Sequence, residues 1–104
     1  MFARAVEALI ADPRFRPGMP ILFDDYTADV RNVSVEDVKT LAGHFVRLSP
    51  QLGPGRAAML VSEPITFGVA RMFEQYASNA SLTFGVFYLR EEAVQWLLGR
   101  SEMT

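Results

Sequence analysis

The stretch Ala57 to Tyr76, AAMLVSEPITFGVARMFEQY, constrains the fold of this chain more than any other segment. Ala57 to Val61 is a short unbroken apolar run, the pattern of a strand covered on both faces, because neither set of alternating side chains meets water. Pro64 follows, and its fixed φ and missing N–H suit the first position of a helix. Ser62 stands where it could cap the free N–H groups of that first turn. Ile65, Val69, Met72, Phe73 and Tyr76 then fall at i, i+4, i+7, i+8 and i+11, which is one helical face. Gly68 lies on the same face. A mid-helix glycine costs ~1 kcal/mol relative to alanine, so a close approach of this helix to the sheet is expected there. The opposite side carries Phe67, Arg71, Glu74 and Gln75, with Phe67 a large apolar group one turn from an arginine.

The segments on either side extend this unit. Phe2, Val6, Leu9 and Ile10 share a stripe in FARAVEALIA, and Asp12-Pro13 ends that helix. PRFRPGMP is a connector with Pro17-Gly18 as its turn signal, in which the Phe15 ring is expected to tuck inward while Arg14 and Arg16 stay wet. Ile21, Leu22 and Phe23 form a first strand ending at Asp24-Asp25. Ser34 and Asp37 fit a capping box, and Val35, Val38, Leu41, Ala42, Phe45 and Leu48 make the face of the helix that follows. Ser49 to Gly55, SPQLGPG, reads as a turn-rich connector. Ser78-Asn79 closes the organising helix, and Leu82 to Tyr88 is a third strand interrupted by Gly85. The last helix opens at Arg90, Glu91 and Glu92, whose carboxylates suit the positive end of its dipole. Its inner stripe is Leu89, Ala93, Trp96 and Leu97, Gly99 is its C-cap, and Arg100 to Thr104 is a tail expected to fray.

Helices alternating with strands over short links imply an α/β fold, a small sheet of parallel strands joined by right-handed helical crossovers. At 104 residues the chain is expected to be one domain, 1–104. Half of its residues are apolar and its charge is moderate, the balance of a globular chain rather than a disordered one. A net charge of −2 with scattered basic residues argues against nucleic-acid or membrane-surface electrostatics as partners. There is no cysteine, which removes thiolate chemistry and cysteine-based metal sites. No apolar run approaches the ~20 residues of a membrane span, and no secretory signal is visible. A cytoplasmic location is therefore expected.

In VSEPITFGVARMFEQY and the later VFYLREEAVQWL, the chain resembles the small bacterial STAS-like proteins related to the anti-sigma-factor antagonist SpoIIAA. The resemblance is carried by Gly68, Ala70, Arg71 and Met72 in the organising helix, then by Phe87, Glu92, Ala93, Trp96 and Leu97. The ILFD strand and the helix after Ser34 fit as well, so it covers most of the chain. It implies a STAS-like sandwich, related also to CRAL-TRIO domains. Relatives have one or more strands before the first helix, so either the native start lies upstream or the sheet is completed differently. STAS antagonists are phosphorylated in an Asp-Ser-Ser-Gly-like turn; that motif is missing, and no phosphoswitch transfers to Ser62 or Ser34.

Ligands of open parallel sheets favour the crevice beyond the carboxyl ends of the strands. Here that crevice is expected to hold Asp24, Asp25, Ser62, Glu63, Tyr88 and Arg90. Adjacent strand residues point to opposite faces, so Asp24 and Asp25 need not converge, and caps and solvated turns use the same residue types. GPGR at Gly53 to Arg56 precedes a strand, whereas phosphate-binding loops precede a helix. His44, the only histidine, falls on a polar helix face without spaced metal ligands. No base is tied to Ser62 by any motif. No catalytic residue, cofactor or metal site is therefore expected, and the protein is read as not an enzyme. Phe67 with Arg71 is a candidate interface anchor. A sheet this thin has edges to cover, which points to a self-associating interaction or regulatory module, a homodimer or a complex with another protein. The alternative is a carrier of a small apolar ligand, as the CRAL-TRIO likeness implies.

Overall fold

The computed structural model describes residues 2–99. The elements run α1 (Phe2–Ala11), β1 (Ile21–Asp24), α2 (Val35–Leu52), β2 (Gly55–Leu60), α3 (Pro64–Tyr76), β3 (Leu82–Phe87) and α4 (Arg90–Leu97). The three strands lie in the order β1-β2-β3, with β2 parallel to both neighbours. The expected α/β architecture is what the chain adopts. The side chains of residues 2–4, that of Phe2 among them, and the tail from Arg100 lie outside what is described.

A strand order that advances steadily places successive crossovers of one hand on the same face. Accordingly α2 and α3 pack against each other there, and α1 packs on α2. The central strand divides its side chains between two layers. Ala57, Met59 and Val61 join the main core with Phe45, Phe73 and Phe84, whereas Ala58 and Leu60 are buried apart from it. The helix α4 touches all three strands and covers that second side. The apolar run ending at Val61 is thus enclosed on both faces, as its sequence requires, and the Val61 N–H prolongs the ladder by donating to Phe87 O at 2.9 Å.

The core of the first face is aromatic. Phe45, Phe73 and Phe84 meet edge-to-face or tilted, with ring centroids 5.2 to 5.7 Å apart, the geometry that the ring quadrupoles favour. Phe15 packs against this core while Arg14 and Arg16 are exposed. The capping box of α2 forms as expected, with Ser34 Oγ accepting from the Asp37 N–H and Asp37 Oδ2 accepting from the Ser34 N–H, both at 3.0 Å.

Five local expectations are corrected. The second helix does not stop before Ser49 but runs through Pro50 to Leu52. Proline has no N–H for the carbonyl four residues back, which is that of Val46, and Ser49 Oγ donates to this oxygen instead at 2.9 Å. Ser49, 2% exposed, also accepts from the Ser81 N–H at 3.2 Å, while Ser81 Oγ reaches Ser49 O and Gly53 O. The end of α2 is thereby fastened to the start of β3. The stop comes at Gly53, at φ 81°, where a Cβ would lie 2.5 Å from the Gly18 N.

The inward face of α3 is rotated from the apolar stripe. Thr66, Ala70, Phe73 and Ala77 are buried, whereas Ile65 and Tyr76 are exposed. Small residues permit close packing while adding little hydrophobicity, so a reading weighted by the largest apolar groups misplaces the face. Gly68 meets open space rather than the sheet. Ser62 does not cap this helix: Glu63 occupies the N-cap without a side-chain bond, and Ser62 Oγ donates to Tyr26 O at 2.6 Å. Val35, the first residue of α2, and Leu89, the N-cap of α4, stand exposed rather than on the inner faces of their helices.

Candidate functional site

The carboxyl ends of the three strands open into two concavities, one on each side of the sheet. Asp24 and Asp25 lie at the divide, and they part company as the pleat dictates.

On the α4 side a pocket of about 610 Å³ is lined by Asp24, Tyr26, Thr27, Tyr88, Leu89 and Arg90, with Leu60 at its base. Arg90 Nη2 donates to Asp24 Oδ2 at 2.7 Å, and Asp24 Oδ1 accepts from the Tyr26 N–H at 3.1 Å. Both partners of the ion pair are about half exposed. Tyr88, just past the end of β3, stacks on Phe67 with centroids 4.9 Å apart and planes 11° from parallel. Three of the expected crevice residues, Asp24, Tyr88 and Arg90, do meet here. Ser62 is engaged with the Tyr26 carbonyl, and Glu63 is exposed at the N-cap of α3.

Phe67 differs from the outward-facing aromatic expected of it. It is half-buried against the main core and its ring face is taken by Tyr88. Arg71 is exposed, with its Nε 3.1 Å from Glu74 Oε1 within the same helix. The two do not form a joint outward anchor.

The larger concavity, about 1040 Å³, lies on the other side, among β1, the following loop, α2 and α3. Its walls are mainly apolar: Val30 and Val33 from the loop, Val38 and Leu41 from α2, and Val69 and Ala70 from α3. It narrows over Met59, Val61 and Phe73, each buried almost completely. The loop that closes one side is stiffened by local bonds. The Ala28 N–H donates to Asp25 O and the Val33 N–H to Val30 O, each at 3.0 Å, and Asp29 Oδ1 accepts from the Arg31 N–H at 3.1 Å. Arg31 also pairs with the Asp29 carboxylate, which holds that carboxyl down at about 2.

Asp25 is the anomalous group in this cleft. Its backbone is fixed by a bond from its N–H to Leu60 O at 2.9 Å, but among the described residues its carboxylate has no hydrogen-bonding or ionic partner. Partial burial pushes its pKa up, and the neighbouring charge of Asp24 adds to the rise. Thr66 is the second polar group, 4% exposed, and its hydroxyl too has no partner among the described residues. At the α1 end of the cleft His44 lies 3.5 Å from Glu7 and 3.4 Å from Arg47.

Chemically, the smaller pocket offers a satisfied ion pair between two tyrosines. The larger offers apolar volume with one free carboxylate and one free hydroxyl. Among the described residues no group of three or more histidines, aspartates or glutamates is placed to hold a metal ion, and none of the helices is long and apolar enough to cross a membrane. Thr66 and the loop valines escaped the sequence reading. Valines at 30 and 33 in an otherwise polar loop were the available signal, since a loop with nothing to cover has no use for them.

No protein-family model, curated protein or solved structure matches the chain.

Proposed function

We propose that this protein is a non-enzymatic binding module that holds a small apolar ligand in the cleft between β1, α2 and α3. The observation that carries this reading is a largely apolar concavity of about 1040 Å³, of the size that small-molecule sites reach, at the carboxyl ends of the strands where parallel sheets bind ligands. The sequence resemblance to STAS-like domains, and through them to CRAL-TRIO domains, agrees with a carrier or a ligand-responsive regulatory module. A cytoplasmic setting belongs to the same reading. The smaller pocket has less to offer a substrate, because its charged groups already satisfy each other.

Self-association is the second reading, and it rests on a different feature. Within the described residues β1 and β3 each pair on one side only, and unpaired strand edges invite another chain. Native mass spectrometry of protein purified without detergent or organic solvent addresses both. The expected result is a bound or exchangeable apolar molecule of a few hundred daltons at one per chain. Protein that carries none, and that fails to bind a neutral apolar fluorophore added afterwards, would remove the carrier reading. A monomer at every concentration would remove the edge-paired dimer.

A further inference from the structure

Resting on that reading, we propose that the cleft selects amphiphiles whose head group is a protonated amine, received by the Asp25 carboxylate with the Thr66 hydroxyl as second acceptor. Four aspartates reach the walls of the cleft, and three are already engaged. Asp24 is bonded by Arg90, Asp29 by Arg31, and Asp37 by the Ser34 N–H in the capping box. Asp25 alone among them has neither a cation nor a hydrogen-bond donor among the described residues.

A carboxylate kept partly from water without a partner is unfavourable, and the surrounding structure ordinarily supplies one. Here the position a partner would occupy faces ligand space. The Thr66 hydroxyl, on a residue that also lines the cleft and without a hydrogen-bond partner among the described residues, is a second acceptor open to that space. A primary ammonium has three donors and no acceptor, so it bonds the carboxylate and keeps donors for a further oxygen on the cleft wall. The apolar walls take the hydrocarbon body.

The opposite assignment, an anionic head group, fits the charges worse. The N-terminus of α3 would favour an anion, but Glu63 sits at its N-cap. Arg47, on the cleft wall, lies beside His44, which in turn contacts Glu7 from α1. An anion at Asp25 would meet repulsion, with no cation paired to Asp25 among the described residues to compensate.

The experiment is displacement of the neutral fluorophore N-phenyl-1-naphthylamine at pH 7.5 by octylamine, octanol and octanoate, which share one chain and differ in head group. The expected order is octylamine first, about tenfold tighter than octanol, as one charge-assisted hydrogen bond supplies, with octanoate weakest. Asp25→Asn is expected to bring octylamine down to the level of octanol, and Glu92→Gln, on an exposed residue that lines neither pocket, to leave the order intact. Equal affinity of the three compounds for the wild-type protein would overturn the head-group assignment and leave the apolar cleft standing. A preference for octanoate would do the same. Absence of fluorophore binding would overturn the carrier reading and this inference with it.

Discussion

The two faces of β2 are built from one strand and yet are opposite in design. Under α2 and α3, Ala57, Met59 and Val61 join a broad aromatic core, and this thick layer leaves a cleft at its edge. Under α4, only Ala58, Leu60 and Ala93 are fully buried. This thin layer is closed by a lid in which Arg56 lies over the Trp96 ring at 5.1 Å and donates to the Trp96 carbonyl, while Phe87 packs against the same ring at 5.5 Å. The difference lies in how each face is filled. The first face supplies most of the buried core residues and the open apolar cleft; the second closes the sheet and pairs Asp24 with Arg90. Asp24 and Asp25 condense the contrast into two adjacent residues, one paired at 2.7 Å and one unpaired.

The largest test of this asymmetry is a pair of aromatic truncations. Phe45 is 2% exposed and touches the rings of both Phe73 and Phe84. Phe45→Ala is therefore expected to cost about 3 to 5 kcal/mol, the range for a fully buried aromatic. Trp96 is only half-buried, and Trp96→Ala should cost roughly half as much, since part of its area never leaves water. Urea unfolding midpoints at equal slope measure both. Equal losses would mean that the α4 side carries as much of the core as the helical layer does.

The fit of the thin face can be probed at Gly85. A Cβ there would lie 2.8 Å from Phe87 Cε2 and 3.2 Å from Trp96 Cη2, so this strand glycine is an exchange of side chain for ring space. Overpacking typically costs ~1 to 3 kcal/mol, offset in part by the lower chain entropy of alanine. Gly85→Ala should lose about 1 kcal/mol net and shift the emission of Trp96, the only tryptophan. An unchanged spectrum with unchanged stability would show α4 free to move aside.

How much of this was legible beforehand differs element by element. The central strand could be read because two-sided burial leaves an unbroken apolar run, and the start of α3 because Pro64 has few other places to stand. The C-terminal turn of α2 could not, because its continuation depends on Ser81, far along the chain, holding Ser49 and Gly53. The phase of α3 was hidden because Thr66 and Ala70 are inward by virtue of size rather than hydrophobicity. Of the site, the pairing of Asp24 with Arg90 follows from strand ends meeting at one edge. A crevice at the strand ends, with Asp25 in it, was expected, but its apolar volume was not, since that is a space between elements, and Val30 and Val33 were its one trace in the loop. Phe67 was read as outward because it lies opposite the apolar stripe of α3; with the buried face rotated it packs against the core, and Tyr88, one residue beyond the end of β3, covers its ring.

The smallest and most discriminating comparison is between Asp25→Asn and Asp24→Asn. The Asp25 pKa is raised in the folded protein by burial first and by Asp24 second, so folding disfavours its ionised form. Such a group contributes most stability below its unfolded-state pKa, about 3.9, and loses that contribution as pH rises through the folded-state value. At pH 7 the ionised carboxylate is therefore a net burden, and Asp25→Asn should raise the melting temperature there. The gain should fade as pH falls below about 4, where wild-type Asp25 is itself neutral. Asp24→Asn removes an exposed ion pair with Arg90 and should lower stability at pH 7 by less than about 1 kcal/mol, an effect that salt diminishes. Calorimetric melts of the two variants at pH 7 and pH 3.5 should thus differ in sign at the higher pH and converge at the lower. A melting temperature that falls in Asp25→Asn at pH 7 would mean its carboxylate already has a stabilising partner in the folded chain. The cleft would then have no vacancy for a cation to fill.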